Sequence, residues 1–391
     1  MENKKPQQYF ESLEGIRGYA FLAVFFIHYN LVTDRPASIL RSPAYMALNL
    51  GWFLVPIFFV LSGFLITRIL LATKNREGFF RVFYLRRAIR VLPLYYTVVG
   101  VIVLAGILSH VHFGLKHVAY LVYLQNFTQA RISPWIDVSH FWSLAIEEQF
   151  YLLWPLAVWF CRSEKSLMRL SYALVAACTL FRIGWPLWHI SSMHAYHITP
   201  NRVDGILLGC ALAVHYNQTK HWDRYVRFAQ ISIPVTFAAL IAVLFIKGST
   251  LPQMNYTGIA FCIPAMNLLG LAFVILALTP GNIVARVCSG KRICSFGQLT
   301  YGLYLLHETY SPLFVLKLMP VLARHMGHYT AQFLTSLIAL AITIALAWLA
   351  NRCIELPMAS LKDKFKYGPK RNTTPAPNTT DYTEAPQLAT T

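Results

Sequence analysis

The chain has 391 residues, of which 56% are hydrophobic and only 13% are Asp, Glu, Lys or Arg, against about 25% charged in a soluble domain. So much apolar surface cannot be hidden in one water-soluble core, and a bilayer is the solvent that suits it. The formal charge of +18 does not point to nucleic acid, because 24 of the 34 basic residues fall in clusters that alternate with basic-poor loops. That pattern marks the cytoplasmic loops and attracts anionic lipid.

The first apolar run opens on Glu14 and Arg17 and continues into a full span, so it reads as a retained helix and not as a cleavable signal peptide. Alternating the basic clusters with the apolar runs then predicts spans near 14–32, 51–72, 91–110, 142–161, 168–187, 203–216, 229–247, 257–279, 296–318 and 332–351. Runs such as 51-GWFLVPIFFVLSGFLI-66 and 333-FLTSLIALAITIALAWLA-350 have the length and composition of crossing helices. Residues 76–90 mix Arg with Phe and Tyr and are expected along the inner surface, with Pro93 starting the next span. The segment 117–127 is too short to cross and reads as re-entrant or interfacial. Together these predict an all-α polytopic membrane protein of about ten transmembrane helices with both termini cytoplasmic. Residues 1–360 form its membrane domain, and 367–391 a disordered Thr/Pro-rich cytoplasmic tail. The seven Cys show no CxxC spacing, so neither a disulfide framework nor a zinc ribbon is expected.

Ionisable residues at bilayer depth cost at least about 2.5–3.5 kcal/mol and mark candidate sites. In the first span Arg17 and His28 are eleven residues apart, about 20° from whole turns, so they share a face with roughly 16 Å between them along the axis. A snorkelling Arg and a packing His would look the same. The fourth span holds 140-HFWSLAIEEQFYLLWP-155, where His140, Ser143 and Glu147 fall on one face. Glu147 is expected at the depth of His28, where a carboxylate can orient an imidazole that takes a proton from a hydroxyl, or can form a structural ion pair. In 83-FYLRRAIRVLPLYY-96, Arg86, Arg87 and Arg90 make a guanidinium fork that suits phosphates and equally suits a topological anchor. Ser62-Gly63 suggests a close helix contact or break in mid-membrane. Arg202 and Asp204 stand at an outer helix start, pairing with each other or receiving an anion, and 300-TYGLYLLHETY-310 places Tyr304, His307 and Glu308 inside a span. The loop residues His189, His194, His197, His325 and His328 lack accompanying Cys or carboxylates, so no metal site is expected.

The ordered set 13-LEGIRGYAFLAVFFIH-28, 58-FFVLSGFLIT-67, 86-RRAIRVLPLYY-96, 140-HFWSLAIEEQFYLLWP-155, 202-RVDGILLG-209, 297-GQLTYGLYLLH-307 and 354-IELP-357 resembles the acyltransferase-3 family of integral membrane O-acyltransferases. The resemblance spans residues 10–360, departing where Pro56 replaces a usual acidic residue and Glu14 a more frequent Asp. It implies transfer of an acyl group, usually acetyl from acetyl-CoA, to a hydroxyl of a bacterial surface polysaccharide such as lipopolysaccharide. It also implies a multi-pass protein of the inner (plasma) membrane with no permanently bound cofactor. By the same likeness His28 is the candidate base, Arg17 and Arg87-x-x-Arg90 are acyl-CoA contacts, and Glu147 belongs to the active centre; the residues themselves offer Tyr304, His140 or Ser143 to steady an oxyanion. The expected partners are acyl-CoA, a glycan acceptor and membrane lipid, with room for a separate periplasmic transfer protein. The competing readings are a carrier of a lipid-linked sugar or solute that uses His28 and Glu147 as a proton relay, and acylation of a small acceptor in the cytoplasm.

Overall fold

The structure, a computed structural model, describes residues 10–30, 50–128, 136–189, 191–247, 255–256 and 258–369. These residues are almost entirely helical and contain no β-sheet. The helices of seven residues or more are α1 (Glu11–Asn30), α2 (Val55–Thr73), α3 (Phe79–Leu108), α4 (Phe141–Phe160), α5 (Glu164–Gly184), α6 (Asp204–Gln218), α7 (Trp222–Lys247), α8 (Ile263–Ala277), α9 (Lys291–Gln298), α10 (Thr300–Leu306) and α11 (His328–Ala350).

Six stretches among the described residues are long and apolar enough to cross a membrane: α2, α3, Glu164–Trp188, Trp222–Val243, Gly258–Ala277 and His328–Lys364. The remaining expected spans also fall on helix, but each departs from a plain crossing. α1 contains Glu11, Glu14 and Arg17, α4 contains Glu147 and Glu148, and α6 has only 15 residues. The expected span at 296–318 is broken into α9, α10 and a run from Ser311 to Ala323 that begins with Ser311–Leu313. The break lies at His307–Tyr310, and its backbone groups find partners locally: the His307 carbonyl accepts from the Tyr29 hydroxyl at 2.7 Å, and the Thr309 carbonyl from Asp137 N at 3.1 Å. Irregular backbone inside a helical bundle survives only where such partners exist.

α3 corrects the expected division at Pro93. Residues 79–108 form one continuous helix with Pro93 inside it, roughly 45 Å long. Proline forfeits one backbone hydrogen bond; Thr97 Oγ1 donates to the Pro93 carbonyl at 2.8 Å, so the next turn is tied back to it. The Arg-rich half and the apolar half of α3 are therefore one rigid rod. Segment 115–128 forms only short pieces, Leu115–Val118, Ala119–Val122 and Gln125–Thr128, none long enough to cross. It is held to the bundle by buried amides: Gln125 Nε2 donates to the Phe141 carbonyl at 3.0 Å, and Gln149 Nε2 to Asn126 Oδ1 at 3.0 Å.

α2 is the centre of the bundle. It packs against α6, α8, α1 and α4, and Val60, Leu61 and Phe64 are buried on it. Its approach to α6 is set by glycine. A Cβ on Gly63 would fall 1.9 Å from the Ile206 carbonyl oxygen, and one on Gly209 would fall 2.0 Å from the Val60 carbonyl oxygen. Backbone touches backbone here, as expected of Ser62-Gly63, and small residues are what allow it in a membrane. α5 and α7 lie outward, with Leu180, Ile231 and Val235 exposed as a lipid-facing surface would require.

One buried ion pair fixes α5 to α6. Arg182 Nη2 lies 2.5 Å from Asp204 Oδ2, and Arg182 also donates to the Asn201 carbonyl from Nη2 at 2.9 Å and from Nε at 3.2 Å. Asp204 therefore pairs with Arg182 and not with Arg202. At the chain end, Tyr367–Pro369, expected to begin the disordered tail, is docked on the start of α3; residues 370–391 lie outside the described residues.

Two outcomes follow for the purified protein in detergent. Gly63→Ala forces α2 off α6 and lowers the unfolding free energy by about 1–3 kcal/mol, read as a fall in thermal midpoint. Asp204→Asn leaves the Arg182 charge buried without its partner and costs about 3–5 kcal/mol, so it lowers the thermal midpoint more than Gly63→Ala does.

Candidate active site

His28 stands near the end of α1, with Nδ1 bonded to the Val24 carbonyl of the preceding turn at 2.9 Å. That contact turns Nε2 across the bundle, where it meets Glu308 Oε2 at 3.6 Å. Glu308 comes from the break after α10, where the chain leaves helical geometry and brings the carboxylate inward. His140, at the start of α4, places Nδ1 3.2 Å from the same Oε2, and its Nε2 contacts the Leu305 carbonyl at 3.3 Å. His307 closes the group, with Nε2 3.4 Å from His28 Nδ1 and Nδ1 2.7 Å from the Tyr304 carbonyl. Ser139 Oγ donates to the other Glu308 oxygen at 3.4 Å. Three imidazoles thus surround one carboxylate, and 14% of the His28 side chain and 12% of that of Glu308 remain accessible.

This corrects the expected partner of His28. Glu147 does not meet it. Glu147 Oε1 accepts from Ser62 Oγ at 3.0 Å and Oε2 from Tyr151 at 3.2 Å, and its nearest cations are Arg87 and Arg17. The error was one of depth. His140 opens α4 at the level of Glu308, and Glu147 lies seven residues further along, roughly 10 Å at 1.5 Å per residue. Glu308 was visible in the sequence as an ionisable residue inside a span, but reading 296–318 as continuous helix hid the turn that aims it.

Ser143 and Tyr304 are brought together, with hydroxyls 2.6 Å apart, and both bond the His140 carbonyl, at 3.2 and 3.1 Å. They hold the start of α4 against α10, which keeps His140 beside Glu308. Tyr304 also packs its ring 5.3 Å from that of His307 and 5.5 Å from that of His140.

The arginines separate by partner. Arg17 Nη1 lies 3.5 Å from Glu14 Oε2, one turn away on α1. Arg87 lies flat on Tyr151, 3.7 Å from the ring centroid, with Nε 3.9 Å from Glu148 Oε1. Arg86 leaves the expected fork altogether: its Nε donates to the Phe365 carbonyl at 2.7 Å, and its guanidinium covers the Tyr367 ring at 5.4 Å. Arg90 is exposed, and its charged neighbours are Arg87, Arg17 and Glu14.

Arg202 stands apart from both groups. It is 1% exposed, none of its three nitrogens has a hydrogen-bond partner among the described residues, and its guanidinium is enclosed by Tyr196 at 4.6 Å, Trp142 at 5.0 Å and Phe59 at 5.6 Å. Such cation–π contacts replace part of the hydration a buried guanidinium gives up. Arg182, which holds the neighbouring Asp204, was missed in the sequence although an Arg inside the span 168–187 is itself a signal. His28, His307 and Glu308 also offer ligand atoms within 4.8 Å of one another.

Comparison with known proteins bears on this arrangement. Residues 10–352 match the family described as an acyltransferase domain, acyltransferase-3. The chain is 28% identical over 378 residues to peptidoglycan O-acetyltransferase OatA of Listeria monocytogenes, covering 90% of this chain and 56% of that protein. It is 26% identical over 399 residues to O-acetyltransferase OatA of Staphylococcus aureus, covering 95% of this chain and 61% of that one. It therefore spans a little over half the length of these relatives. No solved structure matches it. With the family match covering most of its length, and with apolar helices able to cross a bilayer, the chain belongs to the acyltransferase-3 family of membrane acyltransferases.

Proposed function

We propose that the protein transfers an acyl group, acetyl in the first instance, from cytoplasmic acyl-CoA to a hydroxyl of a surface glycan on the outer side of the bacterial inner membrane. The reading takes the chain across the bilayer ten times with both termini inside, as the basic clusters sort. The observation that supports it most is the His28–Glu308 pair, Nε2 to Oε2 at 3.6 Å, set on the same helix as Arg17 and eleven residues from it. An acid–base centre and a cationic centre about 16 Å apart suit a donor whose phosphates and thioester lie at opposite ends of a long arm.

In this scheme His28 Nε2 takes the proton of the acceptor hydroxyl as its oxygen attacks the thioester carbonyl carbon. The carbon–sulfur bond breaks, and the imidazolium returns the proton to the departing thiolate, giving an ester and free CoA. The Val24 carbonyl, accepting from Nδ1–H, holds the imidazole in the tautomer that leaves Nε2 free as a base, and Glu308 offsets the positive charge once Nε2 has taken the proton. His140 and His307 keep Glu308 and His28 in register. Arg17, Arg87 and Arg90 attract the donor, with Glu147 and Glu148 fixing the inner wall around them. Peptidoglycan is the first acceptor to assay, since the relatives named above are O-acetyltransferases and one is named for that polymer. The last transfer is made by the chain itself or through a separate periplasmic protein.

The test uses the full chain in nanodiscs with radiolabelled acetyl-CoA and purified glycan. His28→Ala lowers kcat by about 10²–10⁴-fold, the usual range for a positioned base, and Glu308→Gln lowers kcat while leaving KM for acetyl-CoA near its wild-type value. Wild-type rates in both variants would falsify the scheme. Solute flux without acetyl-CoA would replace it with a carrier.

A further inference from the structure

The C-terminal segment runs antiparallel to the first half of α3, and three sets of contacts fix its register. The backbone of Glu77 exchanges hydrogen bonds with Pro369 and Gly368, N to O at 3.2 Å and O to N at 3.1 Å. Nine residues along, Arg86 holds the Phe365 carbonyl and the Tyr367 ring. Further along, Arg90 is the neighbour of both Glu355 and Lys362. Leu356–Ser360 and Leu361–Lys364 pack against α3 between these points. Lys362 is half-buried there, and its charged neighbours are Arg90, Arg87, Glu355 and Arg86.

The cations at this face differ in how they are neutralised. Arg17 has Glu14, Arg87 has Glu148 and Tyr151, and Arg86 is tied to the segment's backbone. Among the described residues, neither Arg90 nor Lys362 makes an ion pair within 4 Å. Glu355 is near both but outside that range. The Arg86 latch on Phe365 and the packing of Leu361–Lys364 against α3 bring Lys362 to the stretch of α3 that carries Arg86, Arg87 and Arg90, and cations gathered on one face repel one another less once an anion joins them. Arg90 is exposed and Lys362 half-buried, so the pair is reachable.

We infer that Lys362, positioned by the latch of Arg86 on Phe365 and Tyr367, forms with Arg90 a phosphate-binding pair at the cytoplasmic mouth of the site. Lys362 thus takes the place of Arg86 beside Arg87 and Arg90, and Arg86 has a positioning part. The inference rests on the proposal that the donor is acyl-CoA and names which residues hold its phosphates. An anionic lipid headgroup offers the same chemistry, and the test separates the two sources.

The full chain in phosphatidylcholine nanodiscs is titrated with CoA by calorimetry. Lys362→Gln raises the Kd for CoA about tenfold, the size of one charge-assisted contact to phosphate. Lys364→Ala, which removes an exposed lysine from the same turn, leaves Kd unchanged. Arg86→Ala, which releases the latch, raises it as Lys362→Gln does. An unchanged thermal midpoint in Lys362→Gln shows that the effect is local. If wild type and Lys362→Gln bind CoA equally, the inference fails and the donor reading stands; if wild type binds no CoA, both fall. If Lys362→Gln instead loses only bound phosphatidylglycerol, measured by native mass spectrometry, the pair is a lipid seat and the inference is overturned.

Discussion

A carboxylate inside a bilayer is tolerated only where cations or hydrogen-bond donors meet it, because hydrocarbon offers no hydration. Glu308, 9% exposed in the interior of the bundle, stands under the same constraint, and much of the local architecture answers it. The helix breaks at His307–Tyr310 so that the side chain turns inward, and α4 begins at the level that brings His140 against it. α1 runs far enough for His28 to reach the same oxygen. The Ser143–Tyr304 contact locks α4 to α10. Separate stretches of chain, the end of α1 and the start of α4, thus converge on one carboxylate.

The same reasoning sorts the remaining charges. Arg182 and Asp204 satisfy one another with good geometry and so serve to join helices. Among the described residues Arg202 makes no ion pair and is surrounded by aromatic rings, which supply quadrupole attraction but leave its N–H groups without acceptors there. Arg17, Arg87, Arg86 and Arg90 are each engaged differently: by a carboxylate, by a ring, by the backbone of Phe365, or, among the described residues, by nothing within ion-pair range. Residue type alone does not predict these partners. What decides is which surface each helix turns to its neighbours.

Close packing makes this sorting durable. Where α2 and α6 touch through Gly63 and Gly209 the two helices cannot rotate without collision, so the faces bearing Ser62 and Asp204 are fixed together with the backbones. Ser62 in turn anchors Glu147. A glycine contact far from the acid–base centre thereby helps to set the wall of the inner site.

The sequence by itself determined the solvent, the helical class and the roster of ionisable residues, because a bilayer penalises polarity so heavily that length, hydropathy and the position of each charge are nearly sufficient to read them. It also identified the family, through seven short motifs in order. Tertiary structure alone decided which charge meets which. His28 takes Glu308 and not Glu147, Asp204 takes Arg182 and not Arg202, Arg86 holds the chain end, and Pro93 lies within a helix that does not stop there. Helical periodicity places residues on a face of one helix, but it contains no information on the axial offset between helices or on where a span breaks. A shift of two turns exchanges one carboxylate for another, and that offset is set by side-chain packing between elements far apart in the chain.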